Sequence, residues 1–176
     1  IIEGTYGEQR VVEVVVAETR AAVPAGALAR VSAGVDALGR AYTGFAGAPP
    51  GRMQNMLVAA GRLDGVAIAS GATFSLLARL GDVSAASGFN MDHVSAGAAG
   101  DAAPYGGGLE QIATTVFRAA VWGGFPIPER HAPAARVPWL EPPIGLDAAV
   151  GPGAADLQFV NDSPEFVFVE TTLDTG

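Results

Sequence analysis

The chain contains no cysteine. That excludes disulfides, thiolate metal centres and any thiol nucleophile. Lysine is also absent: all ten basic residues are arginines, spaced singly from Arg10 to Arg136, and the net charge is −8. A nucleic-acid-binding surface needs a basic stripe, and none is present. The acidic balance also argues against tight electrostatic binding to anionic lipid. No apolar run reaches the roughly 18 residues of a membrane-spanning helix, so this segment is not expected to insert into a bilayer. Histidine is scarce, with only His93 and His131. The chain opens on Ile1-Ile2-Glu3 and shows no export signal, so it reads as a piece of a longer protein with any such signal upstream.

What is present is 176 residues, about half of them hydrophobic and many of those alanine. That length suits one domain with a core built on Val, Leu, Ile, Phe and the two tryptophans. The β-branched run at 11–17 predicts a strand, and Leu28, Val31, Val35 and Leu38 share one face of a weak helix after Pro24. The Pro49-Pro50 region is a loop. Residues 52–64 predict a helix with Met53, Met56, Leu57, Ala60 and Leu63 on one face and Gly65 closing it. Val66–Ile68 and Phe74–Leu80 are short apolar runs of either type, and 81–108 is mostly loop with a possible strand near Phe89–Val94. Residues 109–122 give the strongest helical pattern, with Leu109, Ile112, Ala113, Val116, Phe117, Ala120 and Val121 forming a broad apolar face. Prolines rule out regular helix over 126–143. Leu157–Val160 and Phe166–Thr172 predict two strands joined by a turn at Asn161–Pro164. These elements predict an α+β fold, with a mixed or mostly antiparallel sheet carrying the two main helices.

The most informative local feature is Gly106-Gly107-Gly108-Leu109-Glu110-Gln111. A glycine run lets backbone approach a ligand closely, and it feeds a helix N-terminus that favours anions. By spacing alone, a turn whose glycines satisfy tight geometry is the commoner outcome, and Glu110 in a first helical turn needs no catalytic explanation. His131 follows Glu129-Arg130 in a proline-rich segment; loop histidines are more often solvated than functional. Glu110, His131 and Asp147 make a possible acid–base or metal set, although their spacing does not require them to meet. No metal site or cofactor is assigned. Gly151-Pro152-Gly153 lacks the third glycine of a dinucleotide fingerprint and precedes a strand, which rejects that reading. Asn161-Asp162-Ser163 fits a glycosylation sequon but sits in the predicted turn, and Thr114 and Thr115 serve helix packing.

Taken together, Asn55, Thr73-Phe74-Ser75, Gly106–Gln111, Thr114-Thr115, Glu129-Arg130-His131, Gly145-Leu146-Asp147-Ala148 and Asp156–Asn161 resemble the VanW domain, named for an accessory protein of vancomycin-resistance clusters. The resemblance runs from about Arg40 to Thr172. It implies a VanW-like domain at 40–176, preceded at 1–39 by the end of a peptidoglycan-binding-like module. It also implies a bacterial, extracytoplasmic cell-envelope setting. Members typically carry Gly-Gly-Gly-Ile-Cys-Gln and a downstream His-Ser pair, and the cysteine-bearing ones are linked to L,D-transpeptidation of peptidoglycan. This chain departs at both places: Glu110 stands at the cysteine position, and Pro133-Ala134 stand at the His-Ser position. The resemblance therefore implies a degenerate active site that binds peptidoglycan stem peptide, or an envelope partner, without catalysis. Its binding residues would be Gly106, Gly107, Gly108, Glu110, Gln111, Arg130 and His131. The alternative is a peptidoglycan-modifying enzyme, transpeptidase-like or hydrolytic, that uses Glu110 and His131 in place of the cysteine. A spacer between envelope modules is a third reading.

Overall fold

The computed structural model describes Val23 and residues 37–92, 105–133, 136–141, 143–151 and 155–174. The strand expected at 11–17, most of the helix expected after Pro24, and His93 lie outside the described residues. Helix α1 spans Pro50–Leu63. It begins two residues earlier than its apolar pattern because Pro50 occupies the first turn, where a missing N–H costs nothing. It ends where Gly65 takes a φ of 73°. Its buried face comprises Asn55, Met56, Ala59, Ala60 and Leu63. Leu57, expected inside, is exposed, because the packing stripe turns toward Asn55 and Ala59 instead.

Strands β1 (Val66–Ile68) and β2 (Thr73–Ser75) follow, then the short helix α2 (Leu76–Leu80). Helix α3 spans Leu109–Trp122, and the tail supplies β3 (Gln158–Val160) and β4 (Val167–Val169). The fold is α+β, with two antiparallel two-stranded ladders, β1 with β4 and β2 with β3. The tail strands therefore pair with the middle of the chain, not with each other. Asn161 explains the split. Its fully buried amide donates to the Ile68 carbonyl at 2.9 Å and to the Glu165 carbonyl at 2.8 Å, tying the turn between β3 and β4 to the end of β1. The sequon asparagine is thus a turn fastener.

The core lies between α1, α3 and the ladders. Leu63, Phe74, Leu76, Leu80, Phe89, Ala113, Leu157 and Phe159 are among its buried members. Phe74 stacks on Phe159 with centroids 4.7 Å apart, and Phe125 closes on Phe159 at 5.4 Å. The tryptophans do not contribute as expected: Trp122 at the end of α3 and Trp139 in a 3-10 turn (Pro138–Leu140) are both more than half exposed. The strand expected near Phe89–Val94 reduces, among the described residues, to a single bridge between Met91 and Tyr105. The prolines of 126–131 hold an extended path beside β3, with bridges from Glu129 to Gln158 and from His131 to Ala149.

Candidate functional site

Helix α3 buries more polarity than its apolar pattern suggests: Gln111, Thr114 and Arg118 are all buried. Each has a satisfied partner, as buried polar groups require. The Gln111 amide donates to the Gly44 carbonyl at 2.7 Å and to the Thr43 hydroxyl at 3.2 Å, and Thr43 in turn pairs with Thr115 at 2.7 Å. Gln111 therefore fastens the 43–44 segment along α3. The Thr114 hydroxyl receives the Ala148 N–H at 3.0 Å. Arg118 donates to the carbonyls of Leu146 and Leu140. Arg130, over the Phe117 ring at 5.1 Å, donates to the carbonyls of Asp147 and Gly145 and to the Asp147 carboxylate at 3.1 Å. Three side chains thus bolt the 145–148 loop, which carries Asp147, against α3.

The glycine turn is held from the other side by α1. Gly106 and Gly108 have φ of 104° and 95°, a region that costs other L-residues strain. Gly107 donates its N–H to the Asp92 carbonyl at 2.9 Å, and its own carbonyl receives the Asn55 amide at 3.1 Å. Arg52, one turn earlier on α1, pairs with Asp92 at 3.3 Å and lies 5.7 Å from the Trp139 ring centroid. Gly108 packs directly on the Arg52 and Met56 side chains.

Glu110 sits in the first turn of α3, partly buried. Burial pushes its carboxyl above the usual glutamate range; Arg52 opposes that rise and Asp147 adds to it. Among the described residues the Glu110 side chain has no hydrogen-bond or ion-pair partner, while Arg52 is paired with Asp92 and Arg130 with Asp147. The amides of Leu109 and Gln111 are already turned back to the Gly106 and Gly108 carbonyls, which leaves less of the helix N-terminus for an anion than the sequence suggested. His131 is engaged elsewhere. Its Nε2 lies 3.0 Å from Glu129, whose carboxylate also receives the Gln158 amide. Of the expected trio, Asp147 acts on the Glu110 carboxyl through its charge, its own carboxylate paired with Arg130, and the His131 ring is tied to Glu129. No group of three or more His, Asp or Glu suited to a metal occurs among the described residues. Sequence reasoning did not include Arg52, Asp92 and Trp139.

A carboxyl desolvated without a partner costs stability once it ionises. The folded pKa lies above the unfolded one, so the fold holds the proton more tightly and the penalty grows as pH rises through the folded pKa. Below the ordinary glutamate value of about 4.3 it vanishes. The Glu110→Gln protein is expected to melt higher than wild type at pH 7, with the difference closing toward pH 4. An equal or lower melting temperature at pH 7 would show that the carboxylate is a stabilising element.

Residues 51–176 match the family described as VanW like protein, and the chain belongs to that family. No curated protein and no solved structure matches the chain. Among the described residues, no helix is long and apolar enough to cross a membrane.

Proposed function

We propose that this VanW-like domain works in the bacterial cell envelope as a non-catalytic binding module. Residues 40–176 would form the functional unit, and the surface around Glu110 would take a peptidoglycan stem peptide. The observation that carries the reading is Glu110 itself: a partly buried carboxyl that, among the described residues, has no hydrogen-bond or ion-pair partner, and on which the charges of Arg52 and Asp147 act. The absence of any thiol from the chain supports the non-catalytic reading over acyl transfer by a cysteine. Stem peptides carry amides, carboxylates and an amine, which suits a surface of alternating charge beside an exposed indole.

The domain is expected to co-sediment with purified sacculi and to bind soluble muropeptides in the millimolar range or tighter. Glu110→Ala should weaken that binding about tenfold, the order of one charge-assisted hydrogen bond. Absence of binding at millimolar muropeptide, or equal binding by the variant, removes the reading.

One observation favours a second reading. A carboxyl raised by burial beside a second carboxylate, as Glu110 is beside Asp147, is the pattern of an acid–base pair for hydrolysis. Mass spectrometry of muropeptides incubated with the domain decides it, since an unchanged product spectrum leaves no hydrolase.

A further inference from the structure

We infer that residues 39–43 form an open strand edge on which a second copy of this chain docks, antiparallel and in register about Ala41. The inference goes beyond the stem-peptide reading and does not depend on it.

The segment is laid along α3 as extended chain. The Gln111 amide holds the Gly44 carbonyl at 2.7 Å, and the Thr43 hydroxyl pairs with that of Thr115 at 2.7 Å. At the other end Gly39 lies on the last turn of α3, where a Cβ would meet the Ala119 carbonyl and stand 2.6 Å from the Gly123 nitrogen. From Gln111 to that turn is about 12–18 Å of helix, which five residue steps cover at about 3.3 Å each and cannot cover as helix. Exposure alternates accordingly: Gly39, Ala41, Thr43 and Phe45 turn inward, and Leu38, Arg40, Tyr42 and Gly44 turn outward. Yet this strand has no sheet. Among the described residues, no main-chain N–H or carbonyl of residues 39–43 has a hydrogen-bond partner. A fixed, extended edge with open main-chain groups is a template for another strand.

The sequence of the edge selects a second copy as that strand. Pairing centred on Ala41 sets Arg40 opposite the partner's Tyr42 and Tyr42 opposite the partner's Arg40, both on the solvent face. Each guanidinium then meets an aromatic ring, and Tyr42, 76 % exposed in the single chain, is covered. On the inner face the same register sets Gly39 against the partner's Thr43 and Ala41 against the partner's Ala41, small side chains that let each strand stay on its own α3. The charge distribution agrees. The chain carries −8, but residues 37–63 contain Arg40, Arg52 and Arg62 and no acid, the longest stretch of the sequence without one. Two acidic chains meet there with the least repulsion.

Sedimentation equilibrium of the whole chain should show the mass rising toward twice the monomer as concentration passes from micromolar to millimolar. Added salt should tighten the association by screening the net charges. Ala41→Pro removes the central ladder donor at a place where the single chain makes no use of that N–H and the backbone is already extended. Its melting temperature should hold while its dimer weakens at least about tenfold. Cross-linking reads the register. The chain has no cysteine, so every disulfide comes from introduced thiols. Arg40→Cys mixed with Tyr42→Cys keeps one native Arg40–Tyr42 pair and sets the two thiols opposite each other. Either protein alone sets its thiols diagonally, about 7–8 Å apart and beyond disulfide reach. The mixture should therefore oxidise to a covalent dimer at least about tenfold faster than either protein alone. If Ala41→Pro melts low, this comparison decides. A mass that stays monomeric at millimolar chain, an undiminished dimer in folded Ala41→Pro, or cross-linking with no preference for the mixture overturns the inference.

Discussion

Gly108→Ala is expected to lose about 2–5 kcal/mol of stability, a large share of the roughly 5–15 kcal/mol typical of a domain. Two costs add. The residue has a φ of 95°, outside the region open to a residue with a Cβ, worth about 1–2 kcal/mol. A Cβ there would also stand 2.9 Å from the Cγ atoms of Arg52 and Met56 and 3.2 Å from the Arg52 carbonyl. Relief requires α1 and α3 to separate, with overpacking worth about 1–3 kcal/mol. Gly107→Ala should cost less, about 1–3 kcal/mol, because its φ is unstrained and the clash is with the Asp92 side chain, 2.7 Å away. Gly61 supplies the contrast. It lies inside α1 with nothing within 4 Å of a built Cβ, so Gly61→Ala should stabilise by about 0.5–1 kcal/mol. Urea midpoints of the three variants give the ranking. A Gly108→Ala protein as stable as wild type would mean that the turn can relax and that its glycines answer to something other than packing. The consequence for function is direct: loss of ligand binding in Gly108→Ala would report a displaced helix, whereas the same loss in Glu110→Gln would report a lost contact.

The elements that sequence reasoning captured are those with a strong local cause. The two long helices carry 3.6-residue apolar periodicity bounded by Pro50, Gly65, Gly108 and Gly123, and local signals of that kind survive whatever the rest of the chain does. The tail strands β3 and β4 were legible as β-branched and aromatic runs, whereas β1 and β2 lay in short apolar runs of either type. The partners of β3 and β4 were not legible, because pairing β3 with β2 and β4 with β1 depends on a buried asparagine amide that reaches across 93 residues to Ile68. The site was legible in the same proportion. Gly106–Gln111 stood out because three glycines before a helix have a direct conformational meaning. Asp147 could be proposed but not placed, since its loop is fixed by hydrogen bonds between main-chain atoms and the side chains of Thr114, which accepts, and Arg118 and Arg130, which donate. Main-chain partners leave no residue-type signature. Arg52 and Trp139 lie off the buried faces of their segments, and periodicity is silent about what an exposed face meets.

Asn55→Asp tests how the glycine turn is held and is expected to be the most damaging single-atom exchange near the site. Asn55 is wholly buried. Its Oδ1 accepts the Asn90 N–H at 2.7 Å, while its Nδ2 donates to the Asn90 carbonyl at 3.2 Å and to the Gly107 carbonyl at 3.1 Å. One amide thus joins α1, the segment before Asp92 and the glycine turn. Aspartate has nearly the same shape but sets a second oxygen against two carbonyl oxygens. Ionised, it is a buried charge facing two negative dipoles; protonated, it serves only one of the two carbonyls. The expected loss at pH 7 is about 3–5 kcal/mol, against about 2–3 kcal/mol for Asn55→Ala, which leaves the partners unmet but adds no repulsion. The pH dependence carries the sign. The fold would hold the introduced carboxyl protonated, so its pKa would be raised above the unfolded value of about 3.9. The deficit should then shrink as pH falls toward that value and grow as pH rises. Denaturant unfolding of both variants at pH 7 and pH 5 gives the answer: Asn55→Asp should recover stability at the lower pH relative to wild type, and Asn55→Ala should not. If Asn55→Asp matches wild type at pH 7, the amide donors are dispensable. The glycine turn, and with it the position of Glu110, would then be held by the Gly107–Asp92 main-chain bond and the packing of Gly108 alone.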